Sequence, residues 1–264
     1  MSIFITGDIH ADPTRFSTEI FPEQKEMTRD DVVIICGDFG LVWDKIESKR
    51  EKHWLKWLGE KPFTLVFVDG NHENFSRLNS LPTTIWHGGK VHQIRENIFH
   101  LMRGEIFNID GQKFFAFGGA RSHDIVGVAT KEELKLDYSA GILYRNDPMF
   151  KIKKKYIDEE QLCYRIAGET WWKEEMPTKQ EMDHGMENLQ KNNMKVDFII
   201  SHDGPASDLA LLGGGTMNID PLNKYFETIK QTVSYRSWIF GHHHINRRVD
   251  EKDFALFEQI IQIG

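Results

Sequence analysis

The sequence predicts a layered α/β protein, and two observations carry that expectation. Apolar runs of strand length recur along the chain, and stretches with helical spacing lie between several of them. "SIFIT" leads into "GDIH", "DVVIIC" into "GDFG", "FTLVFVD" into "GNHE", "VDFIIS" into "HDGP" and "SWIF" into "GHHH". Uninterrupted apolar runs of this kind suit strands covered on both faces. Helices are expected from Asp44 to Leu58, from Thr178 to Lys191 after Pro177, and from Pro221 to Lys230 after Asp220. "IFHLM", "EIFNI" and "KFFAFGG" read as a meander with short polar turns, and "RRVD" and "FALFEQIIQI" as strand-like segments. Helices are expected to cover the sheet edges.

With 264 residues, 40% hydrophobic and 28% charged, the chain can bury a full core and reads as one domain over 1–264. Its 33 basic against 40 acidic residues give a net −7. That balance argues against an affinity built on neutralising nucleic-acid or anionic-lipid phosphates, although a local basic patch is compatible with it. Cys36 and Cys163 form no CxxC pair, so neither a disulfide framework nor a thiolate zinc site is indicated. Both read as small buried apolar residues in a reducing cytoplasm. "SIFITGDIH" has no basic n-region and too short an apolar run for a secretory signal, and no other run approaches the ~20 residues of a membrane span. A cytoplasmic location, with no leader ahead of Asp8 and no membrane partner, is the expectation.

The polar residues at the strand ends form a set: Asp8 and His10, Asp38, Asn71 and His72, His202, and His242 with His244. One of them alone would be a turn residue or a satisfied histidine. Five coincident strand ends are hard to assign to turn chemistry, because the carboxyl ends of strands in α/β sheets gather on one rim where ligands bind. Imidazole and carboxylate donors without a thiolate suit two divalent transition metals. If "GHHH" is extended, His242 and His244 share one face and His243 points to the other.

In this order, "GDIH", "GDFG", "GNHE", "SHDGP" and "GHHH" resemble the calcineurin-like metallophosphoesterase superfamily, and the match spans Gly7 to His244. The resemblance implies a four-layer αββα sandwich, two mixed β-sheets face to face with helices outside, and a dinuclear metal site at the strand C-terminal rim. Carried over by motif, Asp8, His10 and His244 would hold one metal, Asn71, His202 and His242 the other, and Asp38 would bridge both. Manganese is the first expectation for the two ions, with iron, zinc or nickel as alternatives, since this donor set accepts them all. A metal-bridging hydroxide would attack a phosphomonoester or small phosphodiester, and His72, which is outside the ligand set, would protonate the leaving alkoxide. The expected partner is a phosphorylated small molecule or nucleotide. A nuclease or cyclic-nucleotide phosphodiesterase with the same centre is the alternative. A non-catalytic scaffold is disfavoured because every ligand position and His72 are filled.

"GDFGLVWD" places Leu41 where the protein serine/threonine phosphatase branch carries a second aspartate, and no arginine follows. A phosphoprotein substrate is therefore disfavoured, and Asp44 becomes a candidate partner for His72. "FGGARSHD" and "GETWWKEEMPT" also resemble a bacterial and prophage metallophosphatase subgroup. Between them, about 125–167 reads as a substrate-specificity insertion. Its Tyr144, Arg145, Phe150, Lys151, Lys153, Lys154, Lys155 and Tyr156 suit either a lid for nucleotides or single strands, or a solvated lysine-rich face. At least one of Trp171 and Trp172 is expected to pack against the core.

Overall fold

Alternate residues of each central strand serve two different packing layers in the computed structural model, which describes residues 1–122, 125, 141–213 and 219–263. In chain order the strands are β1 (Ile3–Thr6), β2 (Val32–Ile35), β3 (Thr64–Phe67), β4 (Thr83–Trp86), β5 (Gly89–Arg95), β6 (Ile98–Leu101), β7 (Glu105–Ile109), β8 (Gln112–Phe117), β9 (Ile142–Leu143), β10 (Arg165–Ile166), β11 (Phe198–Ser201), β12 (Ser237–Phe240), β13 (Arg247–Arg248), β14 (Asp253–Ala255) and β15 (Ile260–Ile263). The helices are α1 (Lys49–Gly59), α2 (Phe75–Leu78), α3 (Phe150–Glu159), α4 (Lys179–Lys191), α5 (Ala206–Gly213) and α6 (Pro221–Thr232).

One sheet has the order β15-β1-β2-β3-β6-β5-β4, the other β13-β14-β12-β11-β8-β7. In both, four parallel strands form the centre and antiparallel strands the edges. Ile3, Ile5, Val32, Ile34 and Val66 of the first sheet pack against Phe114, Ala116, Phe198, Ile200 and Ile239 of the second. The intervening residues face outward: Phe4, Val33, Ile35 and Leu65 meet Leu55 and Leu58 of α1, while Phe115, Ile199 and Trp238 meet Leu189 of α4 and Phe226 and Ile229 of α6. This is the four-layer sandwich of two mixed sheets. Helices cover the outer faces, antiparallel strands form the sheet edges, and α4 lies against the edge strand β7.

Other local differences have physical causes. The first helix starts at Lys49, not Asp44, because Ser48 and Glu51 form a capping box and Glu51 Oε1 also accepts from the N–H groups of Trp43 and Asp44. The expected meander is divided between layers, with β6 in the first sheet and β7–β8 in the second. The β4–β5 hairpin, absent from the sequence reading, turns on His87 and Gly88, whose φ values of 47° and 91° build the tight turn. Cys36 is buried as expected, but Cys163 is exposed, and both are free thiols.

Within the expected insertion, residues 126–140 lie outside the described residues. The described part pairs β9 with β10 and gathers Leu143, Phe150, Ile157 and Ile166 into a small apolar cluster of its own. Four of its cations have acidic partners close by: Arg145 pairs with Glu169, Lys153 with Asp147, Lys154 with Asp158 and Lys155 with Glu159. Trp172 is buried, in line with the expectation for the tryptophan pair. Among the described residues no helix is long and apolar enough to cross a membrane.

A buried polar network crosses β5 and β6. His92 and His100 are cross-strand partners whose Nδ1 atoms are 3.0 Å apart, and His100 Nε2 lies 3.0 Å from Asp69 Oδ1. Burial, and then the neighbouring His100, push the His92 pKa down from 6.5 to about 4. A group held neutral in the fold takes up its proton first in the unfolded chain. Stability is therefore kept above the unfolded value and lost as pH falls from about 6.5 towards about 4. Urea unfolding at pH 7 and pH 4.5 should show a loss traceable to His92 of up to about 3 kcal/mol, and His92→Gln should flatten it. Parallel losses in the two proteins would assign the acid sensitivity elsewhere.

Candidate metal centre

Each polar residue picked out in the sequence lies just beyond the carboxyl end of a parallel strand: Asp8 and His10 after β1, Asp38 after β2, Asn71 and His72 after β3, His202 after β11, and His242 to His244 after β12. The first three strands belong to one sheet and the last two to the other, so the groups meet where the rims of the two sheets adjoin. Such close approach needs glycine. A Cβ on Gly37, whose φ is +98°, would enter the His202 ring, and one on Gly241 would strike the Asp8 carboxylate.

Three overlapping groups result: Asp8, His10 and His244; Asp8, Asp38 and His202; and His10, Asp38 and His72, each with its donor atoms within 4.8 Å of one another. Asp38 Oδ1 is 3.3 Å from His202 Nε2, and its Oδ2 is 3.7 Å from His10 Nδ1. Asp8 Oδ2 lies 3.3 Å from His244 Nε2 and 3.7 Å from His10 Nε2. Asn71 Oδ1 stands 3.3 Å from His202 Nε2, and the His242 ring lies 4.9 Å from that of His202. All eight residues are thus brought together. His202 is oriented by the Cys36 carbonyl, 2.8 Å from its Nδ1, which leaves Nε2 facing the centre.

The "GHHH" segment is not extended. His242 and His244 take left-handed φ values of 66° and 48°, and Asp8 Oδ1 accepts the His242 N–H at 3.0 Å. The turn still separates the three rings: His242 and His244 enter the site, and His243 Nε2 lies 2.9 Å from Asp203 Oδ1 on the other side. Strand alternation is therefore not the cause. His10 and Asp38 are left-handed too, with φ of 45° and 48°. Such backbone costs about 1–3 kcal/mol per residue and persists where surrounding bonds enforce it. Here His10 N–H and Ile9 N–H both bond the Asp38 carbonyl.

Charge at the centre is unbalanced. Burial works to raise the Asp38 pKa, but His202, His72 and His10 outweigh it and hold the carboxyl well below the ordinary range. Burial disfavours a proton on His202, yet Asp38 and Asp8 prevail and lift its pKa to about 10. His10 goes the other way, lowered by burial against the pull of Asp38 and Asp8, while the bond to Asp8 raises His244. Two buried carboxylates thus draw positive charge into a ring of imidazoles, and that donor set fits divalent transition metals.

His72 donates its backbone N–H to Asp38 Oδ1 at 2.8 Å. Its ring stacks on Trp43 at 5.8 Å between centroids, and Trp172 meets Trp43 edge-on at 5.5 Å. A cavity of about 250 Å³ opens here, lined by His10, Ala11, Leu41, Trp43, Asp44, Arg50 and His72.

Sequence reasoning left several supporting residues unassigned. Glu73, fully buried, accepts from the N–H groups of Phe39 and Gly40 beside Asp38, and burial followed by the Asp38 charge pushes its pKa well up. Arg15 ties together the carbonyls of Gly7, Asp8 and Phe257. Ser122 and Glu175 stand behind Asn71. Glu73, Asp203 and Ser122 sat inside the quoted motifs "GNHE", "SHDGP" and "FGGARSHD", where a signal was available; Arg15 had none.

Two comparisons bear on this arrangement. Lariat debranching enzyme A of Xenopus laevis is 27% identical over 138 residues, covering 47% of this chain and 24% of that enzyme. The lariat debranching enzyme of Danio rerio is 25% identical over 138 residues, covering 47% of this chain and 23% of its own length. The match therefore spans about a quarter of each relative. A family model, calcineurin-like phosphoesterase, matches residues 1–246, which include every strand end at the centre. With that match over nearly its whole length, the chain belongs to the calcineurin-like phosphoesterase family.

Proposed function

We propose that this chain hydrolyses a phosphomonoester or small phosphodiester with two divalent cations, one held by Asp8, His10 and His244, the other by Asn71, His202 and His242, with Asp38 shared. The observation that carries this reading is the placement of Asp38, whose two oxygens face His202 on one side and His10 on the other. When bound, the cations supply activation of water and neutralisation of the phosphoryl charge. Manganese, iron, zinc and nickel all suit the donors, with manganese preferred. The chain is read as one domain, 1–264, in which residues 125–167 form an insertion; the apolar cluster around Phe150 supports that division.

The remaining work falls to the protein's own groups. Asp38 offers negative charge at two positions at once, which an amide could not do. His72 faces the cavity with its ring plane fixed by Trp43, and donates a proton to the departing oxygen. Arg50 and Asp44 line the cavity where the leaving group would sit. A nuclease reading is the second one, favoured by the similarity to lariat debranching enzymes and opposed by the net charge of −7.

Stripped protein reloaded separately with manganese, iron, zinc and nickel should hydrolyse aryl mono- or diesters or nucleotides only after reloading, and turnover of RNA in preference to these would favour the nuclease reading. No turnover with any metal on any ester would sink both. His72→Ala should keep its metal content while losing about 10²–10⁴-fold in turnover of esters with poor leaving groups, and far less on an activated aryl ester. Equal losses on the two substrates would remove the proton-donor role.

The histidine triplet gives a second expectation. His242→Ala and His244→Ala should each lose bound metal and most turnover. His243→Ala should keep both metals and lose about 1–3 kcal/mol of stability, because the buried Asp203 carboxylate loses its imidazole partner and keeps only the Gly204 N–H and the Asn223 amide. A larger metal loss for His243→Ala than for either neighbour, read by elemental analysis, would reverse the assignment.

A further inference from the structure

Two segments that the metal-site reading leaves without a task, 118–122 and 172–175, meet directly behind Asn71. Ser122 Oγ accepts from Asn71 Nδ2 at 3.3 Å. The same hydroxyl donates to Glu175 Oε2 at 2.6 Å, and the Ser122 N–H donates to Glu175 Oε1 at 3.0 Å. Ser122 and Glu175 are each only 3% exposed, so solvent does not compete for these bonds. Glu175 is itself anchored. Arg103 binds Asp69, two residues before Asn71, and also the carbonyls of Glu174 and Glu175.

The direction of this chain of bonds is what matters. With Glu175 ionised both of its oxygens accept, so the terminus is acceptor-only and the Ser122 proton points towards it; burial lifts the Glu175 pKa to about 7, so this direction holds from there upward. The Ser122 oxygen then has only lone pairs left for Asn71, and takes the amide NH2. An amide held from behind by its NH2 presents its carbonyl forward, and Oδ1 indeed faces His202 Nε2 at 3.3 Å. Turned by half a rotation, the same side chain would offer N–H groups, which repel a cation.

We propose that Glu175, acting through Ser122, is a positioning residue that locks the Asn71 amide with its oxygen towards the metal. The proposal rests on the reading of Asn71 as a ligand. It gives the "FGGARS" and "WWKEE" stretches one joint task, fixing the polarity of a single amide.

Titration of the metal-free full chain with Mn²⁺, followed by electron paramagnetic resonance, and with Co²⁺, followed by its visible absorption, resolves the two affinities. Ser122→Ala should weaken one site by about 10- to 100-fold and leave the other at its wild-type value. Ser122→Thr keeps the hydroxyl and should bind both ions as wild type does. Glu175→Gln should weaken the same site at least as much, because its NH2 can donate to Ser122 and turn the whole chain of bonds around. Should Asn71→Ala lose one site while Ser122→Ala and Glu175→Gln keep both, or should those two lower only the melting temperature, the positioning role is overturned. Two ions held at wild-type affinity by Asn71→Ala would instead remove the ligand reading beneath it.

Discussion

Two carboxylates, Asp8 and Asp38, are buried where the rims of two sheets adjoin, and much of the molecule is arranged to make that tolerable. An ionised carboxylate taken out of water is costly unless paired and hydrogen-bonded. The fold answers from both sides. Backbone N–H groups of His242 and His72 reach Asp8 and Asp38, and histidines from both sheets surround them. The left-handed turns at His10, Asp38, His242 and His244 are the backbone cost of bringing so many donors to one point.

The centre is also lopsided. His202 and Asp8 have no exposed side-chain surface, whereas the His10 side chain is 32% exposed and that of His244 50%. The position flanked by His202 and Asn71 is the enclosed one, and that flanked by His10 and His244 adjoins solvent and the cavity beside His72. Two ions held by similar donors would therefore differ in how readily they exchange. The difference in depth adds to the difference between the Asp8 carboxylate on one side and the Asn71 amide on the other.

Much of this was legible in the chain because the central strands are uninterrupted apolar runs, and each ends in the residues that reach the rim. β1, β2, β3, β11 and β12 announce themselves in that way, and with them the eight polar positions. The edge hairpin did not, since "TTIW" is largely exposed and carries no buried-strand pattern. The division of β6 and β7 between sheets was illegible for another reason. Both have short local turns, and their layer shows only in the strand each one pairs with, β3 for β6 and β8 for β7. The "GHHH" turn depends on Asp8 accepting an N–H from a residue 234 positions away. Glu175 likewise gains its meaning from Ser122, 53 residues earlier.

The pairing of β1 with β15 has a bearing on how the molecule is assembled in time. Ile3 registers with Ile263, and the Phe257 carbonyl receives both the Gly7 N–H and the Arg15 guanidinium directly beneath Asp8. The floor of the centre is thus closed by a segment 242 residues along the chain from Arg15. Contacts of such sequence separation form slowly, since a long loop must be closed before they repay its entropy. The first sheet can gather β1, β2 and β3 early, with Ile9 and His10 bonded to the Asp38 carbonyl, but the loop carrying Asp8 lacks its Phe257 and His242 contacts until the distal segment docks. Full bracing beneath Asp8 then waits on the closing of that long loop.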